Sequence, residues 1–211
     1  MIAPQALILL VVCYKSTVEE NQVQVENQVQ VEYKYLGDII SNNGKNTNNI
    51  KDRKGKATAA TISINTVATG EVLNRIETAV LLELHEKVTV ATLLNNAEAW
   101  VLSTQEMNEI EKIELNCLKS LFNLPVRTPT PAIIYTMGVL YTKIRIEKKQ
   151  LTYLHRILSR EDDHWTKKTL YTLMELKLGW YTKIVAILKS YELTDDYNRK
   201  KIDKSIDFLR G

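Results

Sequence analysis

The sequence predicts a mainly helical chain, a helical bundle with a small antiparallel β element near its start. Three observations predict it. Residues 22–32 alternate valine with polar residues, so Val23, Val25, Val29 and Val31 share one face at period two. The pattern changes near Asn43, and beyond it apolar residues recur at helical spacing. Ser103 and Glu106 then stand three apart before an apolar-periodic run, the spacing of a capping box.

The elements follow in order. The apolar run 6–13 has no basic residue before it and no small-residue cleavage site, so it reads as a strand rather than a signal peptide. It is also too short to span a bilayer as a helix. Residues 20–25 recur at once as 26–31, an even-length duplication that leaves the valines on the same face. Residues 33–41 read as one strand, with Gly37 marking a bulge or a close backbone approach. Asn43-Gly44 supplies a turn.

A helix is expected from Thr47, with Ile50, Ala57, Ile64 and Val67 inward. Gly70 breaks it; a second helix starts near Glu71 and turns Ile76, Ala79, Val80 and Leu84 inward. A third covers roughly 89–101. The helix opened by Ser103 buries Met107, Ile110, Ile113, Cys117, Leu118 and Leu121, and Pro125 stops it. Pro131 suits the first position of a short helix ended by Gly138. Thr142 caps a longer helix to about Leu158, with Ile144, Leu151, Leu154 and Leu158 inside. Further helices break near Gly179 and Thr194, and Trp100, Trp165 and Trp180 read as core. Three segments result: 1–44, 45–125 and 126–211, the last boundary falling at the proline-bearing stretch 126–131.

The chain has 211 residues and 45% hydrophobic composition, enough for a core. Its formal charge is only +3, with 28 Lys and Arg against 25 Asp and Glu, so nucleic-acid binding needs local clustering of cations. Cys13 and Cys117, with His85, His155 and His164, form no metal-ligand spacing, and a reduced intracellular setting, nucleus or cytoplasm, is expected. No G-x-S-x-G, glycine-rich phosphate loop or H-E-x-x-H is present. The acidic pairs Asp162-Asp163 and Asp195-Asp196 sit in a polar loop and at a helix start, and read as solvated or capping groups.

Two basic clusters remain. Lys45, Lys51, Arg53, Lys54 and Lys56 lead into a helix, diluted only by Asp52. Such cations can hold phosphates without reading sequence. They can equally be a solvated helix start, although cations there oppose the helix dipole. Lys143, Arg145, Lys148, Lys149 and Arg156 form a second face with Tyr153 among them, the mixture that suits single strands by charge and stacking. Cations lying along a helix on their apolar stems are the stronger reading of that face.

Residues 33–56, with Tyr35-Leu36-Gly37-Asp38-Ile39-Ile40-Ser41 and Asn43-Gly44-Lys45, resemble the region just after the palm of non-LTR retrotransposon reverse transcriptases. Leu93-Leu94-Asn95-Asn96-Ala97-Glu98-Ala99-Trp100 and the helix after Ser103 are similar to that family's thumb and post-thumb helices. Tyr153-Leu154-His155 is similar to a helix further along. The resemblance implies a primer-grip strand at Tyr35, Leu36 and Gly37, and a thumb opened by Lys51, Arg53, Lys54 and Lys56 that holds primer–template duplex by its backbone. Asn95-Asn96 departs from the pair usual at that place, and the family's aspartate-bearing palm block is missing. A non-catalytic, C-terminal fragment is expected, without cofactor, whereas the intact parent polymerase would use magnesium. Its expected partner is RNA–DNA or DNA primer–template, bound as a monomer and away from membranes. A helical protein-interaction module, or the product of a decayed mobile element, is the alternative.

Overall fold

A computed structural model describes residues 32–35, 38–41, 46–69, 77–177 and 179–194. The fold is mainly helical, with two short paired strands before the first helix. Strands β1 (Glu32–Tyr35) and β2 (Asp38–Ser41) pair antiparallel, with Tyr33 opposite Ile40 and Tyr35 opposite Asp38. The single strand expected over 33–41 is thus two strands. The expectations for residues 6–31, for Asn43-Gly44 and for Gly70 to Ile76 lie outside the described residues, as does Asp195-Asp196.

Helix α1 (Thr47–Thr69) buries Ile50, Arg53, Ala57, Thr61 and Ile64, one face at three- and four-residue steps. Val67, expected on that face, is 54% exposed. Helix α2 (Thr78–Leu84) buries none of its residues, so the inward reading of Ala79 and Val80 is corrected. It runs into a π-helical segment, His85–Val90, and a last helical turn, Ala91–Leu93. The wider π turn brings His85, Thr89 and Val90 inside. The third helix expected to reach residue 101 stops here instead. Asn96 has φ of 61°, a left-handed conformation that asparagine tolerates and that cannot continue a helix. A short 3-10 turn, Ala97–Ala99, and extended Trp100 follow.

Helix α3 (Thr104–Leu121) opens on the expected capping box. The Ser103 hydroxyl accepts from the Glu106 amide at 3.2 Å, and the Glu106 carboxylate accepts from the Ser103 amide at 2.8 Å. Ile110, Ile113, Cys117, Leu118 and Leu121 are buried as expected, and Met107 is half-buried. The stop comes before Pro125. Asn123 is left-handed (φ 52°), and the Leu124 amide donates back to Lys119 O at 2.8 Å, closing the last turn. Helix α4 (Thr130–Met137) carries its proline in the first turn and ends at Gly138, φ 63°. Helix α5 (Thr142–Leu158) buries Ile146, Leu151 and Leu154, whereas Ile144 is 38% exposed. Helices α6 (Trp165–Leu176) and α7 (Gly179–Ser190) complete the described order.

The chain divides into two compact units. One holds the described residues of 1–46, 96–101 and 146–211; the other holds the described residues of 47–95 and 102–145. The first has a core of Leu151, Leu154, Leu170, Leu173, Trp180 and Ile184, with Tyr153 set edge-on to Trp180 at 5.7 Å. The Trp180 indole donates to Glu98 O at 2.8 Å, and Gln150 donates to Trp100 O at 2.8 Å. In the second, α1 packs on α3 and on the π segment, and Leu115, Leu118 and Ile133 form a further cluster. Among the described residues no helix is long and apolar enough to cross a membrane.

Candidate functional site

The expected basic cluster of α1 divides by helix geometry. Lys51 and Lys54 are exposed, one turn apart, and make no ion pair among the described residues. Lys56 is held by Asp52, one turn earlier, at 2.5 Å. Arg53 is only 3% exposed, which corrects its placement on a solvent face. It follows Ile50 by three residues, so the helix turns it inward, and its guanidinium reaches toward Thr92 O at 3.5 Å. That carbonyl ends a helical turn, where a cation is favoured.

Leu36, Gly37 and Lys45 lie outside the described residues, and of Tyr35 only the strand backbone is described. Asp38 is buried and accepts from the Asn96 side-chain amide at 2.7 Å. Within that unit the segment Asp38-Ile39-Ile40-Ser41 is therefore anchored on the left-handed turn residue, while the Asn46 amide donates to Val101 O at 2.9 Å.

The second basic set lies on helix α5 and is shared between the two units. Lys143 and Arg145 belong to one unit; Lys148, Lys149 and Arg156 belong to the other. Arg145 is withdrawn from solvent. It pairs with Glu86, lies 3.5 Å from Glu114, and donates to Leu140 O at 3.1 Å. Lys143, Lys149 and Arg156 are exposed and Lys148 is half-buried. Tyr153 is buried, so it offers no stacking surface; Arg156 lies over its ring at 5.6 Å. In the loop, Asp162 is exposed and pairs with Lys167 at 2.7 Å.

Two features were not anticipated. The first is a buried polar group on the π segment, α3 and α5. His85 is 1% exposed, and neither ring nitrogen has a hydrogen-bond partner among the described residues. Burial, and then the Arg145 cation, lower its pKa to about 4, so it is neutral at pH 7. Glu114 is buried too; burial raises its pKa, although the Thr142 hydroxyl donates to it at 2.6 Å and Arg145 stands by. The second is a cleft of about 100 Å³ between α1 and α3, with Lys54 and Thr58 on one wall and Asn116 and Ser120 on the other. Polar residues one turn apart on each helix were the available signal.

Comparison with protein-family models, with curated proteins and with solved structures finds no match. Among the described residues no group of three or more His, Cys, Asp or Glu side chains is placed to hold a metal ion.

Proposed function

We propose that this chain grips nucleic acid through the sugar–phosphate backbone, in the manner of a reverse-transcriptase thumb. The observation that carries the reading is the pair Lys51 and Lys54, exposed on one side of α1 and without ion pairs among the described residues. Two ammonium groups one turn apart can meet phosphates without reading bases. The resemblance of the segments around Tyr35 and Trp100 to the non-LTR family supports it. With Arg53 inward and Lys56 paired, the grip uses fewer cations than the sequence suggested.

An electrophoretic shift with an RNA–DNA hybrid tests it, run on wild type and on Lys51→Gln/Lys54→Gln. Two phosphate contacts give a salt slope of about −2, which the double variant brings toward zero. Equal affinity and equal slope in the two proteins reject the grip.

A second reading rests on a different observation. Val126 is 83% exposed and Tyr135 is 91% exposed, more apolar surface than a solvated loop and helix need. A helical protein-interaction module would use it. A specific protein partner lost in Tyr135→Ser, together with no salt-sensitive nucleic-acid binding, favours that reading over the first.

A further inference from the structure

The cleft between α1 and α3 has a rim that no other contact consumes. Lys54 and Thr58 stand one turn apart on α1, and Asn116 and Ser120 stand one turn apart on α3. All four are exposed. Among the described residues no hydrogen bond or ion pair engages the Lys54 ammonium, the Thr58 and Ser120 hydroxyls or the Asn116 amide. The two walls are joined nearby, where the Asn65 amide donates to Ser120 O at 3.4 Å.

The chemistry of the cleft selects its ligand. No carboxylate lines it. The Cys117 thiol at its floor is raised in pKa by burial, so it is uncharged at neutral pH. A cation would meet Lys54 with no compensating acid. A purely apolar ligand would cover four polar groups and satisfy none. An oxyanion meets one ammonium and three neutral groups able to donate. Ile62 and Ile113 add an apolar side, which a bare ion leaves unused and a C–H edge fills.

We propose that this cleft is a subsite for one sugar–phosphate unit, its phosphate oxygens held by Lys54, Thr58, Asn116 and Ser120 and its sugar edge lying on Ile62. The inference deepens the proposed grip and rests on it only for the source of the phosphate, a strand backbone rather than a free sugar phosphate.

The full chain tests it in two arms. In the first, the Asn116 side-chain amide is followed by nuclear magnetic resonance during titration with ribose 5-phosphate, against sodium chloride at equal ionic strength. A saturable shift, absent with chloride and about tenfold weaker in Thr58→Val, is expected, since one charge-assisted hydrogen bond is removed. Asn116→Leu, followed through the Ser120 backbone amide, repeats the measurement; Thr58→Val changes shape so little that folding does not obscure the result. In the second arm, affinity for an RNA–DNA hybrid is measured with the same variants. A parallel loss with unchanged salt slope upholds the subsite and assigns the phosphate to a strand. A sugar-phosphate response without any effect on the hybrid upholds the subsite and rejects the grip. No response beyond the chloride control in either arm overturns the subsite.

Discussion

The Trp180 cluster of one compact unit and the His85–Glu114 group of the other are two different kinds of buried surroundings. In the unit that holds residues 146–194, the core is Leu151, Leu154, Leu170, Leu173, Ile184 and Trp180, drawn from helices whose apolar residues recur regularly. In the unit that holds α1 and α3, Ile50, Leu93, Ile110 and Leu118 share the interior with Arg53, Thr61, His85, Thr89 and Glu114. The first cluster is stabilised mainly by apolar area removed from water, although its unit also buries Asp38, Glu147, Gln150 and Lys167. The second depends on partners. Thr61 donates to Ala57 O at 2.9 Å and meets Thr89 at 3.3 Å; Glu114 has Thr142 and Arg145. Substitutions in the two units should therefore fail for different reasons.

The largest loss is expected in the Trp180 cluster. Trp180→Ala removes a 1%-exposed indole, its edge contact with Tyr153 and its bond to Glu98 O. A cost of about 3–5 kcal/mol follows from large-to-small substitution in a packed core. Urea unfolding measures it, and a loss below about 1 kcal/mol would show that Trp180 is not core.

Next comes a partner loss in the His85–Glu114 group. Arg145→Ala leaves the buried Glu114 without its cation, which costs about 3 kcal/mol where a buried pair loses one member. Arg145→Ala/Glu114→Gln should recover most of it, because the remaining charge is gone and Thr142 can still donate to the amide oxygen. Strictly additive losses in the double variant would mean that the two side chains do not communicate.

His85 gives a pH signature. Its folded pKa, about 4, lies below the ordinary 6.5, so the unfolded chain takes up the proton first. Its contribution is complete above pH 6.5 and is lost as pH falls from there toward 4. Glu114 runs the other way: its folded pKa lies above 4.5, so its contribution is complete below that value and is lost as pH rises through the folded pKa. His85→Leu should remove the first slope and keep the second. At pH 7 it should stay within about 1 kcal/mol of wild type, because the imidazole nitrogens make no bond to lose. An unchanged pH profile in the variant would refute the assignment.

The same contrast explains what was legible in the sequence. The capping box, the Gly138 stop and the buried face of α3 depend on neighbours three or four residues away, so local pattern carries them. The inward turn of Arg53 was also present in the spacing, since Ile50 and Ala57 bracket it on one face. Its charge favours a solvent face and its position favours the interior; the position prevails, which leaves Lys51 and Lys54 as the exposed pair of the cluster. The π segment was not legible, because a single widened turn leaves no mark on apolar periodicity. Of the cleft only the separate polar walls were legible, because they lie more than fifty residues apart in the chain, as Asn65 and Ser120 also do.

The smallest effect is the most local one. In Ser103→Ala the Glu106 amide loses its acceptor, while Glu106 can still accept from the amide of residue 103. Half of the capping box survives, so the expected cost is about 1 kcal/mol. Because α3 carries Glu114, Cys117 and Leu118 into the polar interior, the cap is also a probe of that unit. Fraying confined to the first turn of α3 would appear in hydrogen exchange as faster amides near Glu106 and unchanged protection near Leu118. Loss of protection along the whole helix would mean that the capping box nucleates the unit rather than trimming its edge, and a cost well above 1 kcal/mol would accompany it.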